Sequence, residues 1–187
     1  MVHDVVQEQY EKWIYPKPVE NLEEHCAGDK VDGCAPKSHH LQYWPDGRYL
    51  DNDAIDILVA GCGANAAARY AYTHPNARVV GIDLSEASLA HEAMLKNKHN
   101  LDNLTLHQLK IEAIDTLNDS FDFIDCTGVL HHLPDPDFGL RCLKKVLKPD
   151  GVIGMMLYAK YGRTGVYMLQ DLFRMLNFQQ TQEDVDL

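Results

Sequence analysis

Short apolar runs rich in β-branched residues alternate with helix-like stretches through residues 54–158 of this 187-residue chain. Such runs are typical of buried strands, and the stretches between them are long enough to cross from one parallel strand to the next. The pattern predicts an α/β fold with a doubly wound, mostly parallel sheet. We predict five strands, at residues 55–60, 78–83, 104–109, 121–126 and 152–158.

The predicted helices have clear beginnings and ends. The first spans residues 64–73 and stops before Pro75. Ser85 can cap the second, and Asp135 followed by Pro136 begins the third. Pro149, Asp150 and Gly151 predict a turn before the last strand, and a further helix is expected at 165–176. On the second helix we expect one apolar face, formed by Ala87, Ala90, Ala93 and Met94.

The composition predicts three segments. Residues 1–52 form an N-terminal arm, residues 53–176 a domain, and residues 177–187 a polar acidic tail. Aromatic residues in the arm could cover a bound ligand or pack on the sheet. These aromatic residues are Tyr10, Trp13, Tyr15, Tyr43 and Trp44.

Charge and cysteine content limit the partners and the compartment. The formal net charge is −11 without an evident basic patch, so nucleic acid is disfavoured and a small molecule or a protein is favoured. No basic start followed by an apolar run and no membrane-spanning run occurs, so we expect neither a signal peptide nor a membrane segment. An odd number of cysteines without a CxxC pair suits the cytoplasm, where we place the protein.

The arm contains a group of histidines and cysteines, the residue types that bind zinc. Its spacing fits no standard structural zinc pattern, and we predict that the protein holds no metal. The group consists of His25, Cys26, Cys34, His39 and His40.

A glycine-containing bend and an acidic residue follow the first two strands. Gly61 and Gly63 come directly after the first strand, and Asp83 ends the second, twenty residues beyond Gly63. Glycines allow a tight turn and a close approach of a ligand to the backbone, and the acid can accept hydrogen bonds from ribose hydroxyls. Together they predict an adenosine-containing cofactor.

A dinucleotide is one such cofactor, since Gly61-x-Gly63-x-x-Ala66 also fits the dinucleotide-binding pattern. The rest of the chain argues against it. Only 104 residues follow Asp83, too few for a usual second half, and they contain no Tyr-x-x-x-Lys pair that could serve as a reductase base.

Four segments in order resemble the successive motifs of class I methyltransferases that depend on S-adenosylmethionine (SAM). The resemblance covers residues 54–158, just over half of the chain, and implies a Rossmann-like fold with SAM as the cofactor. The segments are residues 57–63, 80–85, 121–133 and 147–151.

The resemblance implies a role for each matching residue. Main-chain groups of the bend would hold the amino-acid part of SAM, Asp83 its ribose and Leu84 its adenine, with Lys110 or Ile111 at the adenine edge. Thr127 and Gly128 would flank the methionine portion. The implied cofactor-binding residues are Ala60, Gly61, Cys62, Gly63, Asp83, Leu84, Lys110, Ile111, Thr127 and Gly128.

Three positions depart from the usual pattern of the family. Val59 stands where a carboxylate often precedes the glycines. Asn65 replaces a third glycine, and we expect a left-handed backbone there, which asparagine adopts more readily than most residues. Lys110 replaces an aspartate that binds the adenine amino group in many members, so the amide of Ile111 is an alternative contact.

The resemblance implies transfer of a methyl group to oxygen or nitrogen of a small molecule or a protein. His131 is our candidate catalytic residue, as a base for an acceptor that must lose a proton, although packing is an alternative role for it. The last two strands of the usual seven have no counterpart. Three interpretations therefore stay open: the chain is a truncated or shortened part of a longer protein, a second copy or a partner covers the exposed edge, or the chain is a SAM-binding subunit without activity.

Overall fold

A parallel sheet of five strands forms the centre of the computed structural model, which describes residues 18–27, 35–179 and 181. The strand order is β3-β2-β1-β4-β5, with every neighbouring pair parallel. This confirms the predicted α/β fold. The strands are β1 Asp56–Ala60, β2 Arg78–Asp83, β3 Leu104–Gln108, β4 Phe121–Thr127 and β5 Leu147–Met156.

Helices join these strands, and their caps were readable in the sequence. Ser85 accepts a hydrogen bond from the amide of Ser88 (3.1 Å), and Asp135 accepts one from the amide of Phe138 (2.8 Å). The α-helices are α1 Leu22–His25, α2 Pro36–Tyr43, α3 Arg48–Asp51, α4 Ala66–Thr73, α5 Glu86–His99, α6 Pro136–Lys145 and α7 Thr164–Met175. Three 3₁₀ helices span Ile111–Leu117, Leu130–His132 and Tyr161–Arg163.

The sheet separates two cores, because alternate residues of a strand point to opposite faces. On one face, Val59 packs in a cluster with Tyr70 of α4 and Leu95 of α5. On the other face, Leu58 packs in a cluster with Leu143 of α6. Helices therefore cover both faces, as a doubly wound sheet requires.

The last strand differs from its prediction. β5 runs through residues 149–151, where we expected a turn, and it ends two residues earlier than expected. Leu147 pairs with Phe121 of β4. The next pair joins Phe123 to Val152, which is five residues further along β5 but only two further along β4. The extra residues bulge out of the ladder, so the turn-forming sequence is accommodated without ending the strand.

The buried face of α5 is not the alanine-rich one. The structure buries Ser88, Glu92 and Leu95, whereas Ala90 and Met94 are exposed. A carboxylate was not expected in a core, and its hydrogen bonds, described below, explain how the fold tolerates it.

Two aromatic residues of the N-terminal segment pack on the body of the fold. Tyr43 stacks on Phe123 of β4 with ring centroids 5.6 Å apart, and Trp44 stacks on Tyr49 at 5.8 Å. The indole of Trp44 also donates to the carbonyl of Asp150 (3.0 Å). Of the two roles considered for the arm aromatics, Tyr43 and Trp44 therefore have that of packing on the fold. The other arm aromatics, Tyr10, Trp13 and Tyr15, lie outside the described residues.

The chain divides into two compact units between Met156 and Leu157. The second unit contains α7, which confirms the predicted last helix. All four residues expected on its inward face are exposed, since one helix and a 3₁₀ turn offer little to pack against; they are Val166, Leu169, Phe173 and Leu176. The predicted segment limits stay predictions. No helix within the described ranges is both long and apolar enough to cross a bilayer.

Ion pairs join the strands at their amino ends. Lys148 donates to Asp56 (2.6 Å) and to Asp122 (2.8 Å). Arg78 pairs with Asp56 (2.7 Å) and with Asp119 (2.5 Å). Burial works to raise the pKa of Asp56, but the hydrogen bonds from Lys148 and Arg78 outweigh it and lower that pKa below 3.8.

We expect Lys148→Gln to lower the free energy of unfolding by about 1–3 kcal/mol at neutral pH, because two partly buried carboxylates lose a cation. A lowered pKa stabilises the fold above the unfolded value. The loss should therefore shrink as the pH falls from the usual aspartate range through the lowered pKa of Asp56, where the carboxylate takes up a proton in the folded protein. Urea unfolding at several pH values measures it. Lys145→Gln, at an exposed lysine, is the control, and an equal loss in both variants would contradict the prediction.

Candidate functional site

The carboxyl ends of β1, β2 and β4 lie side by side at one edge of the sheet. From β1 the chain proceeds to β2 on one side, and later to β4 on the other. This reversal of strand order is where open α/β sheets bind their ligands. The glycine-containing bend, Asp83 and Thr127 all lie at this edge.

The bend after β1 is tied to the end of β2. Gly61 and Gly63 have positive φ angles of 75° and 57°, a conformation that favours glycine. The amides of Gly61 and Cys62 both donate to the carbonyl of Ile82, at 2.8 and 3.0 Å. A Cβ at Gly61 would lie 2.4 Å from Cγ2 of Val129, so the segment after β4 packs closely against Gly61 and leaves no room for a side chain there.

Asp83 joins the bend directly. Its Oδ2 accepts a hydrogen bond from the amide of Gly63 (2.8 Å), and its Oδ1 accepts one from the amide of Ser85 (2.9 Å). Each carboxylate oxygen can accept more than one hydrogen bond, and the residue is only partly buried. The bend and the acid therefore form one preorganised unit that retains acceptor capacity for a ligand.

The end of β4 carries a small network around a buried carboxylate. Asp125, only 6% exposed, accepts hydrogen bonds from the hydroxyls of Thr127 (2.6 Å) and Tyr70 (2.8 Å). In the sheet it pairs with Val59, so β4 places an acid beside the position where β1 lacks one. Gly128 follows with a φ of 77°, and its amide donates to the carbonyl of Met156 (3.0 Å).

A second buried carboxylate lies behind the bend. Glu92 of α5 accepts hydrogen bonds from the amides of Ala67 and Ala68, both at 2.8 Å, in the first turn of α4. Burial raises the pKa of Glu92 to about 8, while these two donors act to lower it. Neither Glu92 nor Asp125 is predicted as a site residue from the sequence. A charged residue at an inward position of a helix or strand was the available signal.

Asn65 does not have the expected left-handed backbone. Its φ is −154°, so this position does not require a glycine. It is the N-cap residue of α4, but its side chain makes no capping hydrogen bond. Glu92 supplies the missing acceptor from another helix, which explains why the helix begins without a capping side chain of its own.

The predicted adenine contacts follow β2 and β3. Leu84 is partly buried, and its carbonyl accepts a hydrogen bond from the side chain of Gln108 (3.0 Å). Ile111 is buried at the start of a 3₁₀ helix, while Lys110 before it is exposed. Lys110 and Ile111 follow β3 at the edge where Asp83 ends β2, since the ends of the two parallel strands are in register.

Cys62 and His131 differ in what they offer chemically. Burial, with Glu92 and Asp83 nearby, raises the pKa of the Cys62 thiol well above its usual range, so it is a neutral packing group. His131 lies in the 3₁₀ turn after β4, with its ring 4.2 Å from that of His132 and both ring nitrogens buried. Within residues 18–27 and 35–179, no three acidic, histidine or cysteine residues are grouped to hold a metal ion.

Comparison with known families decides what kind of domain this is. Residues 58–153, slightly more than half of the chain, match the family model described as a methyltransferase domain. The chain belongs to this methyltransferase family. The matched range extends from β1 into β5, and it therefore includes the glycine-containing bend, Asp83, the end of β4 and His131.

The methyltransferase domain also resembles individual proteins. An uncharacterized protein of Synechococcus sp. is 36% identical over 87% of this chain and 39% of that protein. A ubiquinone biosynthesis O-methyltransferase of Idiomarina loihiensis is 35% identical over 52% of this chain and 40% of that enzyme. PKMT2 from Rickettsia typhi in complex with AdoHcy shares the fold, with a TM-score of 0.62 at 23% identity over 71% of this chain and 26% of that one. The chain thus spans less than half the length of each.

Gly61→Ala should destabilise this methyltransferase domain by about 2–5 kcal/mol, because a side chain there combines a left-handed backbone with overlap onto the stiff, branched Val129. Gly47→Ala is the matched control: its φ of 79° is similar, but nothing lies within 4 Å of the new Cβ. Denaturant unfolding of both variants measures the difference. Equal losses would mean that the contact with Val129 has no energetic importance.

Proposed function

We propose that this domain transfers a methyl group from SAM to an oxygen or nitrogen atom of a small molecule or a protein. The observation that carries the proposal is the 2.8 Å hydrogen bond between the amide of Gly63 and Asp83. It joins the backbone bend to the carboxylate at one edge of the sheet. Membership of the methyltransferase family supports the same conclusion.

The residues at this edge suit the two ends of such a cofactor. Asp83 has carboxylate oxygens that can accept hydrogen bonds from ribose hydroxyls, and Leu84 offers an apolar surface for adenine. The bend from Ala60 to Gly63 and the segment Thr127–Gly128 would hold the methionine portion. The solved complex of PKMT2 with AdoHcy supports this ligand class for the fold.

Bound SAM supplies a methyl group already activated on a sulfonium. The contribution of the chain is then to hold the two reactants in line and to exclude water from them. His131 is the proposed base for an acceptor that must lose a proton. Because both of its ring nitrogens are buried, the proposal requires this ring to turn toward the acceptor.

Two observations bear on the acceptor. The net charge of −11 disfavours nucleic acid, which leaves small molecules and proteins. Curated relatives named as ubiquinone biosynthesis O-methyltransferases support an oxygen acceptor. The match spans only part of those enzymes, so the proposed acceptor atom is either oxygen or nitrogen.

The alternative function is a SAM-binding subunit that does not catalyse transfer. It is favoured by β5, which ends the described sheet with Met155 and Met156 exposed, an edge that a partner or a second copy would cover. Formation of S-adenosylhomocysteine with a cell-extract acceptor favours the enzyme. Tight SAM binding without turnover, in a stable complex with a partner, favours the subunit.

Asp83→Ala should weaken SAM binding about tenfold or more, because charge-assisted hydrogen bonds to the ribose are lost together with the link to Gly63. Isothermal titration calorimetry measures the affinity, and circular dichroism checks that the variant is folded. Asp102→Ala, at an exposed aspartate between α5 and β3, is the charge-matched control. Unchanged affinity in Asp83→Ala would count decisively against the proposed binding mode.

His131→Ala should lower the maximal turnover about 100-fold at neutral to alkaline pH, the range in which a neutral imidazole can accept a proton. Turnover is measured from about pH 6 to 9 with SAM saturating. The neighbouring His132→Ala is the comparison. An intact pH profile in His131→Ala, or a larger loss in His132→Ala, would show that His131 is not the base.

A further inference from the structure

Glu92 occupies a position in the fold that the proposed mechanism does not use. It is 0% exposed and lies on α5, yet its two carboxylate oxygens accept hydrogen bonds from the amides of Ala67 and Ala68 at 2.8 Å. A buried carboxylate persists only when it is hydrogen-bonded, and here both oxygens are. Glu92 therefore completes the first turn of α4 from a neighbouring helix.

The helix that Glu92 caps is the one that follows the glycine-containing bend. The first amides of a helix have no partner within it, and its positive dipole end attracts anions. In dinucleotide-binding folds this end of the corresponding helix holds a pyrophosphate. In this chain the amides of Ala67 and Ala68 already bind an acid that belongs to the protein itself.

We propose that Glu92 is a specificity-determining residue, which makes the glycine-containing bend reject adenosine ligands that carry phosphate. By occupying the first turn of α4, it leaves the bend suited to a ligand that offers adenosine without phosphate. This inference rests on the proposed function, because it concerns the same adenosine site. It explains why a bend that fits the dinucleotide-binding pattern belongs to a methyltransferase.

The residues around Glu92 strengthen the rejection of ligands that carry phosphate. Asp83 lies close enough to act on Glu92 electrostatically, and a phosphate at the bend would face both acids in a medium of low dielectric constant. Arg69 also acts on Glu92, but with the smallest effect among its neighbours. Because burial raises the pKa of Glu92 to about 8, its carboxylate repels phosphate most strongly above that pH, and binding is therefore measured at about pH 9.

Three probes that share adenosine separate this role from a merely structural one. The affinity for adenosine measures the contribution of the ribose contacts with Asp83. ADP adds phosphate to adenosine, and S-adenosylhomocysteine adds the amino-acid part. In the wild-type protein we expect S-adenosylhomocysteine to bind, and ADP to bind about tenfold or more weakly than adenosine, because phosphate meets an occupied helix end and like charge. Calorimetry with each probe gives the three affinities.

Glu92→Gln should remove this penalty. The amide keeps the size of the side chain but loses the negative charge, and its NH₂ group cannot accept the second hydrogen bond, so a phosphate at the bend no longer meets a second acid beside Asp83. We expect the ratio of ADP to adenosine affinity to rise about tenfold or more. Glu92→Asp retains the charge and should keep ADP the weaker ligand.

Glu86→Gln is the matched control, because it removes the same charge from an exposed position in the first turn of α5. It should leave the ratio unchanged. If the wild-type protein binds S-adenosylhomocysteine but binds ADP as tightly as adenosine, the inference is wrong while the proposed function stands. This comparison uses the wild-type protein alone. Equal weakening of all probes in Glu92→Gln would also overturn it. If the wild-type protein binds no S-adenosylhomocysteine, the proposed function fails first, and the inference with it.

Discussion

The hydrogen bond from Gly63 to Asp83 is the contact on which the site depends. It joins the segment after β1 to the last residue of β2. The amides of Gly61 and Cys62, which donate to the carbonyl of Ile82, fix the same segment to β2 a second time. A parallel sheet brings these chain positions, twenty residues apart, to one edge. Because hydrogen bonds within the protein fix the shape of the bend, binding a ligand there requires little further ordering of the backbone.

Two buried carboxylates stabilise this edge, one on α5 and one on β4. Glu92 holds the start of α4, and Asp125 fixes the hydroxyls of Thr127 and Tyr70. Fully satisfied buried networks of this kind specify one arrangement of their groups, because each lost hydrogen bond leaves a costly buried charge or dipole. The proposed binding edge is therefore also a rigid part of the core.

Local patterns in the sequence predicted the strands, the capping residues Ser85 and Asp135, and the meeting of the bend with Asp83. The roles of Glu92 and Asp125 depend on side chains from other elements, and no spacing along the chain reveals which backbone amide or hydroxyl will face a given acid. The same reason explains Asn65, whose conformation follows from a cap that α5 supplies. The sequence does not predict the path of β5 through residues 149–151, because the strand continues there only through its pairs on either side, Leu147 with Phe121 and Val152 with Phe123.

The two ends of the sheet differ in their electrostatics. At the amino ends of the strands, Arg78 and Lys148 neutralise aspartates in ion pairs, whereas at the carboxyl ends Asp83 and Asp125 are held by neutral donors. An acid held by neutral donors retains its field, so the binding edge favours a ligand that brings positive charge. The sulfonium of the proposed cofactor brings that charge, and methyl transfer removes it. Under the proposed function, the same edge would hold the sulfonium of the reactant more tightly than the uncharged thioether of the product, which would favour release once the reaction is complete.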